Sequence, residues 1–182
     1  MWLRLMPLSD PGRTWLIKDL QQAVIRLAIL PLMTGGGMGS ISVIRGNDGC
    51  GCYPSATDAE ARAVSYAFDT GEVWIINTWL NLTPGNLLIE ESWFTSALAE
   101  CASFLEALPV LGPYKWVVGM EGIKDRYLRI PNRSDNRWGP CLVDVIESQG
   151  TYNKGDDAAE ALRPFFERIF DQCGVERLPL QR

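Results

Sequence analysis

The sequence predicts an α+β fold: a single domain with a mostly antiparallel sheet and about three helices. Apolar runs with strand-like alternation cluster along the chain and are joined by short Gly/Asn/Asp turns, the pattern of antiparallel hairpins. Helical periodicity interrupts them in three places. At 182 residues and 47% hydrophobic content, the chain can build one core without metal or disulfide support.

Residues 2–6 alternate apolar and basic (Trp2, Leu3, Arg4, Leu5, Met6) and reach Pro7 and the turn SDPG, which predicts a short strand. This strand begins with no polar lead-in. We read that as a chain opening inside a larger protein, with an apolar edge that an upstream domain covers. Thr14 is the expected N-cap of a first helix, whose apolar positions are Leu16, Leu20, Ala23, Val24 and Leu27 and which ends before Pro31.

The stretch TGGGMGSISVIRGNDGCGCYP follows as a glycine-rich loop, a β-branched strand and a hairpin turn. A second hairpin is expected between residues 61 and 77. Arg62, Val64, Tyr66 and Phe68 alternate in its first strand, Asp69-Thr70-Gly71 form the turn, and Val73 to Ile76 read as a buried run. Trp93, Phe94, Ala97, Leu98, Cys101, Phe104, Leu105 and Leu108 then lay an apolar stripe along a helix that stops before Pro109. The segments YKWVVGM, RYLRI and CLVDVIES read as strands, the first two joined through MEGIKD as a turn. A last helix runs from about Asp156 to Cys173, is stopped by Gly174, and carries Pro164 as a kink or break.

Composition narrows the chemistry. The net charge of -5 argues against binding nucleic acid with the whole surface, because that mode draws its affinity from many phosphate contacts. The chain has no histidine, which removes Ser-His-acid and Cys-His devices and the histidine-containing zinc sites. The five cysteines (Cys50, Cys52, Cys101, Cys141 and Cys173) form an odd set with no secretory segment ahead of them. They read as reduced thiols in a cytoplasmic protein. No stretch reaches the ~20 apolar residues of a membrane-spanning helix, so no membrane partner is expected.

TGGGMGS leads into a strand and lacks the Gly-Lys-Ser/Thr that a P-loop places at a helix entrance. Glu121, Asp144 and Glu147 are the carboxylates a metal-dependent nuclease or hydrolase could use, with Lys124 beside them. A turn for Glu121 and Lys124, and strand spacing that sends Asp144 and Glu147 to opposite faces, argue against that use. No cofactor and no metal are expected.

Residues 114–138 depart from this acidic background. Lys115, Lys124, Arg126, Arg129, Arg133 and Arg137 stand against Glu121, Asp125 and Asp135, with Tyr114, Trp116, Tyr127 and Trp138 interleaved. Cations beside aromatics make a platform for single-stranded nucleic acid, with those six cations and Trp138 as its candidate contacts. The same strip is also what a half-buried hairpin looks like: rings inside, long basic stems outside.

GPYKWVVGMEGIKDRYL, GPCLVDVIESQGTY and DDAAEALRPFFERIFDQCGVER together resemble the C-terminal region of bacterial proteins that carry an N-terminal Schlafen AlbA-type domain. WLRLMPLSDPGRTW, GGGMGSISVIRG and FDTGEVWIINTWL extend the resemblance over nearly the whole chain. Such proteins are described as DNA-binding or ATP-binding regulators, a role the resemblance attaches to the N-terminal domain, which is not in this chain. The resemblance therefore implies a non-enzymatic accessory domain whose partner is an upstream Schlafen AlbA-type domain or another protein. It brings no catalytic motif.

Overall fold

The structure, a computed structural model, describes residues 1–27, 41–54, 63–78, 85–129 and 138–175. Along the chain run β1 (Trp2–Pro7), α1 (Ile17–Leu27), β2 (Ile41–Arg45), β3 (Gly49–Pro54), β4 (Ala63–Phe68), β5 (Val73–Asn77), β6 (Asn86–Leu88), α2 (Glu91–Ala107), β7 (Tyr114–Glu121), β8 (Tyr127–Arg129), β9 (Val145–Tyr152) and α3 (Ala158–Gln172). Seven strands form one antiparallel sheet in the order β2-β3-β4-β5-β1-β7-β9, while β6 and β8 pair in parallel as a small second sheet. The α+β domain expected from the sequence is the one observed.

Both predicted hairpins form. β2 and β3 are joined across residues 46–48, and β4 and β5 across Asp69–Glu72, where Gly71 takes φ 82° and its N–H bonds the Phe68 carbonyl. Three helices pack on one face of the large sheet: α1 on β2 and β3, α2 on β1, and α3 on β9 and α2. Strand register fixes which side chains meet them. Leu3 and Leu5 of β1 stand beside Val73 and Ile75 of β5 and beside Trp116 and Val118 of β7. Those side chains merge with Phe94, Leu98 and Phe104 of α2 and with Phe165, Phe166 and Ile169 of α3 into one buried core. Phe94, Phe165 and Phe166 meet at 5.2–5.9 Å between ring centroids, mostly edge to face.

The helix stripe of α2 is borne out, with Phe94, Ala97, Leu98, Cys101, Phe104 and Leu105 buried. α1 begins at Ile17, two residues later than a Thr14 cap would give. In α3 the Asp157 carboxylate accepts the N–H groups of Ala159 and Glu160, closing its first turn, and Pro164 lies on the exposed side without ending the helix.

Several further expectations are corrected. β7 and β8 are not a hairpin, because both edges of β7 are already taken, by β1 and by β9. Gly122 at φ 74° and Asp125 at φ 62° turn the chain off the sheet, so MEGIKD leaves it rather than reversing within it. Glu121 closes β7 instead of sitting in a turn, and Asp144 precedes β9 instead of lying within it. β1 is an interior strand paired on both sides and presents no free edge. β5 is not a buried run, since Trp74 and Ile76 alternate outward between Val73, Ile75 and Asn77. Finally, Cys141 and Cys173 are joined in a disulfide with 4.4 Å between their Cα atoms, leaving Cys50, Cys52 and Cys101 as buried thiols.

Candidate interaction surface

With the helices on one face, the other face of the seven-stranded sheet is open among the described residues. Its register rows run across several strands. Tyr66, Trp74, Arg4 and Val117 form one row, and Val64, Ile76, Trp2, Gly119 and Glu147 the next. β4 shows how the sequence builds this face. Its small residues Ala63, Ser65 and Ala67 point to the covered side, beside Cys50 and Cys52 of β3, over which α1 packs closely. Its large residues Val64, Tyr66 and Phe68 point to the open side. An alternation that reads as an ordinary half-buried strand therefore places its bulk away from the helices.

Two tryptophans order the surface. Trp74 donates its Nε1–H to Glu72, and Arg4 pairs with the same carboxylate, with Nη2 at 3.1 Å from Oε2, while its guanidinium lies 5.2 Å over the Trp74 ring. One glutamate thus holds a ring and a cation in a fixed stack. Phe68 meets Trp74 edge to face at 5.5 Å, and Tyr66 meets Phe68 at 4.8 Å. Tyr66 also donates to Asp48, and burial first, then that hydrogen bond, pushes its hydroxyl pKa up to about 12. Trp2 lies flat on β7, where a Cβ on Gly119 would fall 2.1 Å from its ring, so glycine is what admits the indole.

Between these rings a groove of about 440 Å³ is lined by Trp2, Arg4, Trp74, Ile76, Val117, Glu121 and Glu147, with Leu3 and Ile75 at its floor. Trp74 and Ile76 remain more than a third exposed. Apolar side chains this large on an open sheet face are the usual mark of a binding surface.

The basic-aromatic strip does not stay together. Lys115 sits on the open face of β7 between Met6 and Thr151, whereas Lys124, Arg126 and Arg129 lie on the turn after β7 and on β8 in the small sheet. Arg126 reaches the Asn86 carbonyl at 3.4 Å, and Lys124 and Arg129 are exposed. Trp138 is partly buried against the core and exchanges two backbone hydrogen bonds with Leu128; Arg133 and Arg137 lie outside the described residues. Tyr114 and Trp116 are buried, with Tyr114 donating to the Val110 carbonyl and Trp116 to that of Thr151.

Of the three candidate carboxylates, Glu121 and Glu147 share the groove, while Asp144 lies outside its lining. Among the described residues no group of three His, Cys, Asp or Glu could hold a metal ion. The glycine-rich TGGGMGS loop and Arg62 fall outside the described residues. Among the described residues no helix is long and apolar enough to cross a membrane.

Trp2, Arg4, Glu72, Trp74 and Ile76 escaped the sequence reading. Their signal was an arginine within an apolar strand and a tryptophan two residues from an isoleucine in another, which becomes legible once β1 and β5 are known to be neighbours. No protein-family model, no curated protein and no solved structure matches the chain.

Proposed function

We propose that the chain is a non-enzymatic accessory domain that docks onto a Schlafen AlbA-type domain in the cytoplasm, and that it docks through the open face of its sheet. The observation that carries this reading is the Glu72-locked stack of Arg4 and Trp74 beside the outward Ile76 and Trp2. Tryptophan and arginine dominate the energetic centres of protein interfaces, and side chains already fixed before association lose little entropy on binding.

Direct nucleic-acid binding through residues 114–138 is the alternative. The exposure of Lys124 and Arg129 beside Arg126 favours it; the burial of Tyr114 and Trp116 takes two of its four rings away from any base. An enzyme built on Glu121, Asp144 and Glu147 has less support, since Asp144 stands apart from the other two.

Co-expression with a Schlafen AlbA-type domain tests the proposal. The two should elute together in size exclusion, and Ile76→Asp should separate them without lowering the thermal midpoint of the free chain. Separate elution of the parent proteins, or a complex indifferent to Ile76→Asp, overturns the reading.

A further inference from the structure

The groove is unevenly charged, and the imbalance has a direction. Its central cation, Arg4, is already held by Glu72. At the end where β7 finishes and β9 begins, Glu121 and Glu147 both line the groove, and among the described residues neither is in a salt bridge. Among the described residues the positive group within reach of this end is the Met1 ammonium, which bonds the Asn77 carbonyl at 2.8 Å and feels the Glu121 charge. Arg168 approaches Glu147 through the backbone carbonyl, at 2.8 Å, and Lys115 lies at the opposite end of β7. Among the described residues, two carboxylates thus face one ammonium, and this end of the groove is net negative.

The same end has an aromatic wall. Trp2, Gly119 and Glu147 occupy successive register positions on β1, β7 and β9. Neighbouring strands lie about 4.8 Å apart, so the outer two positions are about 10 Å apart, and the Trp2 indole lies over Gly119 in the interval. The indole, seated in the space that a side chain at 119 would fill, and the Glu147 carboxylate on the next strand therefore form an aromatic and acidic edge of the groove. A lysine or arginine end suits such an edge: its charge pairs with the carboxylates and with the ring, and its aliphatic stem lies along Val117.

We propose that the occupant of the groove is an amphipathic segment of the partner protein that places a lysine or arginine side chain against the Trp2 ring and the Glu147 carboxylate, with Glu121 beside it, and sets its apolar side chains on Trp74 and Ile76. This rests on the docking reading above and adds the charge and orientation of what docks.

The test uses three fluorescein-labelled helical peptides that share one leucine face and differ at a single flanking row: arginine, glutamate or norleucine. Anisotropy should show the arginine peptide binding at least about tenfold more tightly than the glutamate peptide, with the preference shrinking as salt rises. Glu121→Gln combined with Glu147→Gln should erase that preference while circular dichroism stays unchanged, and Ile76→Asp should abolish binding of all three. Equal binding of the arginine and glutamate peptides, a preference that survives the double substitution, or no peptide binding at all overturns the inference. Displacement of the bound arginine peptide by a single-stranded oligonucleotide would overturn the choice of a protein occupant. The docking reading itself stands or falls on the co-elution experiment, so the two failures are distinguishable.

Discussion

Two tryptophans cross neighbouring glycines on opposite faces of the same strand pair system, and their fates differ. On the covered face, Trp116 of β7 lies over Gly150 of β9, where a Cβ would fall 2.5 Å from the ring; Trp116 is 1% exposed and its Nε1–H bonds the Thr151 carbonyl. On the open face, Trp2 of β1 lies over Gly119 of β7 with a hypothetical Cβ at 2.1 Å, yet among the described residues no helix packs above it. The local device is identical. What surrounds it decides whether the ring is a fixed part of the core or a wall that a partner can use. Burial of the first ring is a matter of stability; the second, half-buried, is the one the docking proposal uses.

The largest effect that would break this contrast comes from the covered side. Phe104→Ala should cost about 3 to 5 kcal/mol, the range for deleting a buried aromatic, and shift the denaturant midpoint accordingly. An unchanged midpoint would mean that α2 does not pack on the sheet. The disulfide comes next. Separating Cys141 from Cys173 by Cys141→Ser should cost about 2 to 4 kcal/mol, because the bridge closes a loop across 32 residues of sequence. Thiol titration of the unfolded chain should count three thiols without reductant and five with it. In the folded chain the three should react slowly, since burial pushes the Cys52 pKa up to about 11 and raises those of Cys50 and Cys101 as well.

The glycine pair itself gives the sharpest comparison. Gly150→Ala should destabilise by about 1 to 3 kcal/mol, because Trp116 has nowhere to go. Gly119→Ala should cost less in the same melt, because Trp2 can swing toward solvent, but it should weaken the arginine peptide by removing the aromatic wall. Equal costs at the two positions would show that the faces are packed alike. The smallest expected effect is on the basic strip. Replacing Arg126 and Arg129 by Gln should leave the midpoint within about 0.5 kcal/mol. If the nucleic-acid alternative holds, it should also abolish any salt-sensitive binding of a labelled single-stranded oligonucleotide.

Much of the covered side was legible in the sequence, because its signal is local. The stripe from Phe94 to Leu105 repeats within one helix, and the turns at 46–48 and 69–72 carry their own glycines and aspartates. The open side was not, because its meaning lies between strands. Arg4, Glu72 and Trp74 make sense once β1 is seen to pair with β5, more than sixty residues away in sequence. The false hairpin of β7 and β8 came from pairing sequence neighbours, and the true partner of β7, β9, follows a long excursion through the small sheet. Cys141 and Cys173 meet because that excursion returns beside the end of α3, where the Leu142 N–H bonds the Gln172 carbonyl, and no spacing rule encodes such a return.

The edge strand β9 carries a consequence for how copies of this molecule accumulate. Its Glu147 carbonyl accepts from Arg168, and its Thr151 carbonyl accepts from Trp116, so two acceptors on a terminal strand are already spoken for by side chains of the same molecule. A strand arriving from outside would have to displace both. Growth by strand addition at that rim is disfavoured, and with it the ladder-like stacking that leads to fibrils. Association through the open face, as proposed, would leave that rim untouched and saturate after one partner: a counted complex, with a fixed stoichiometry, in place of an open-ended polymer.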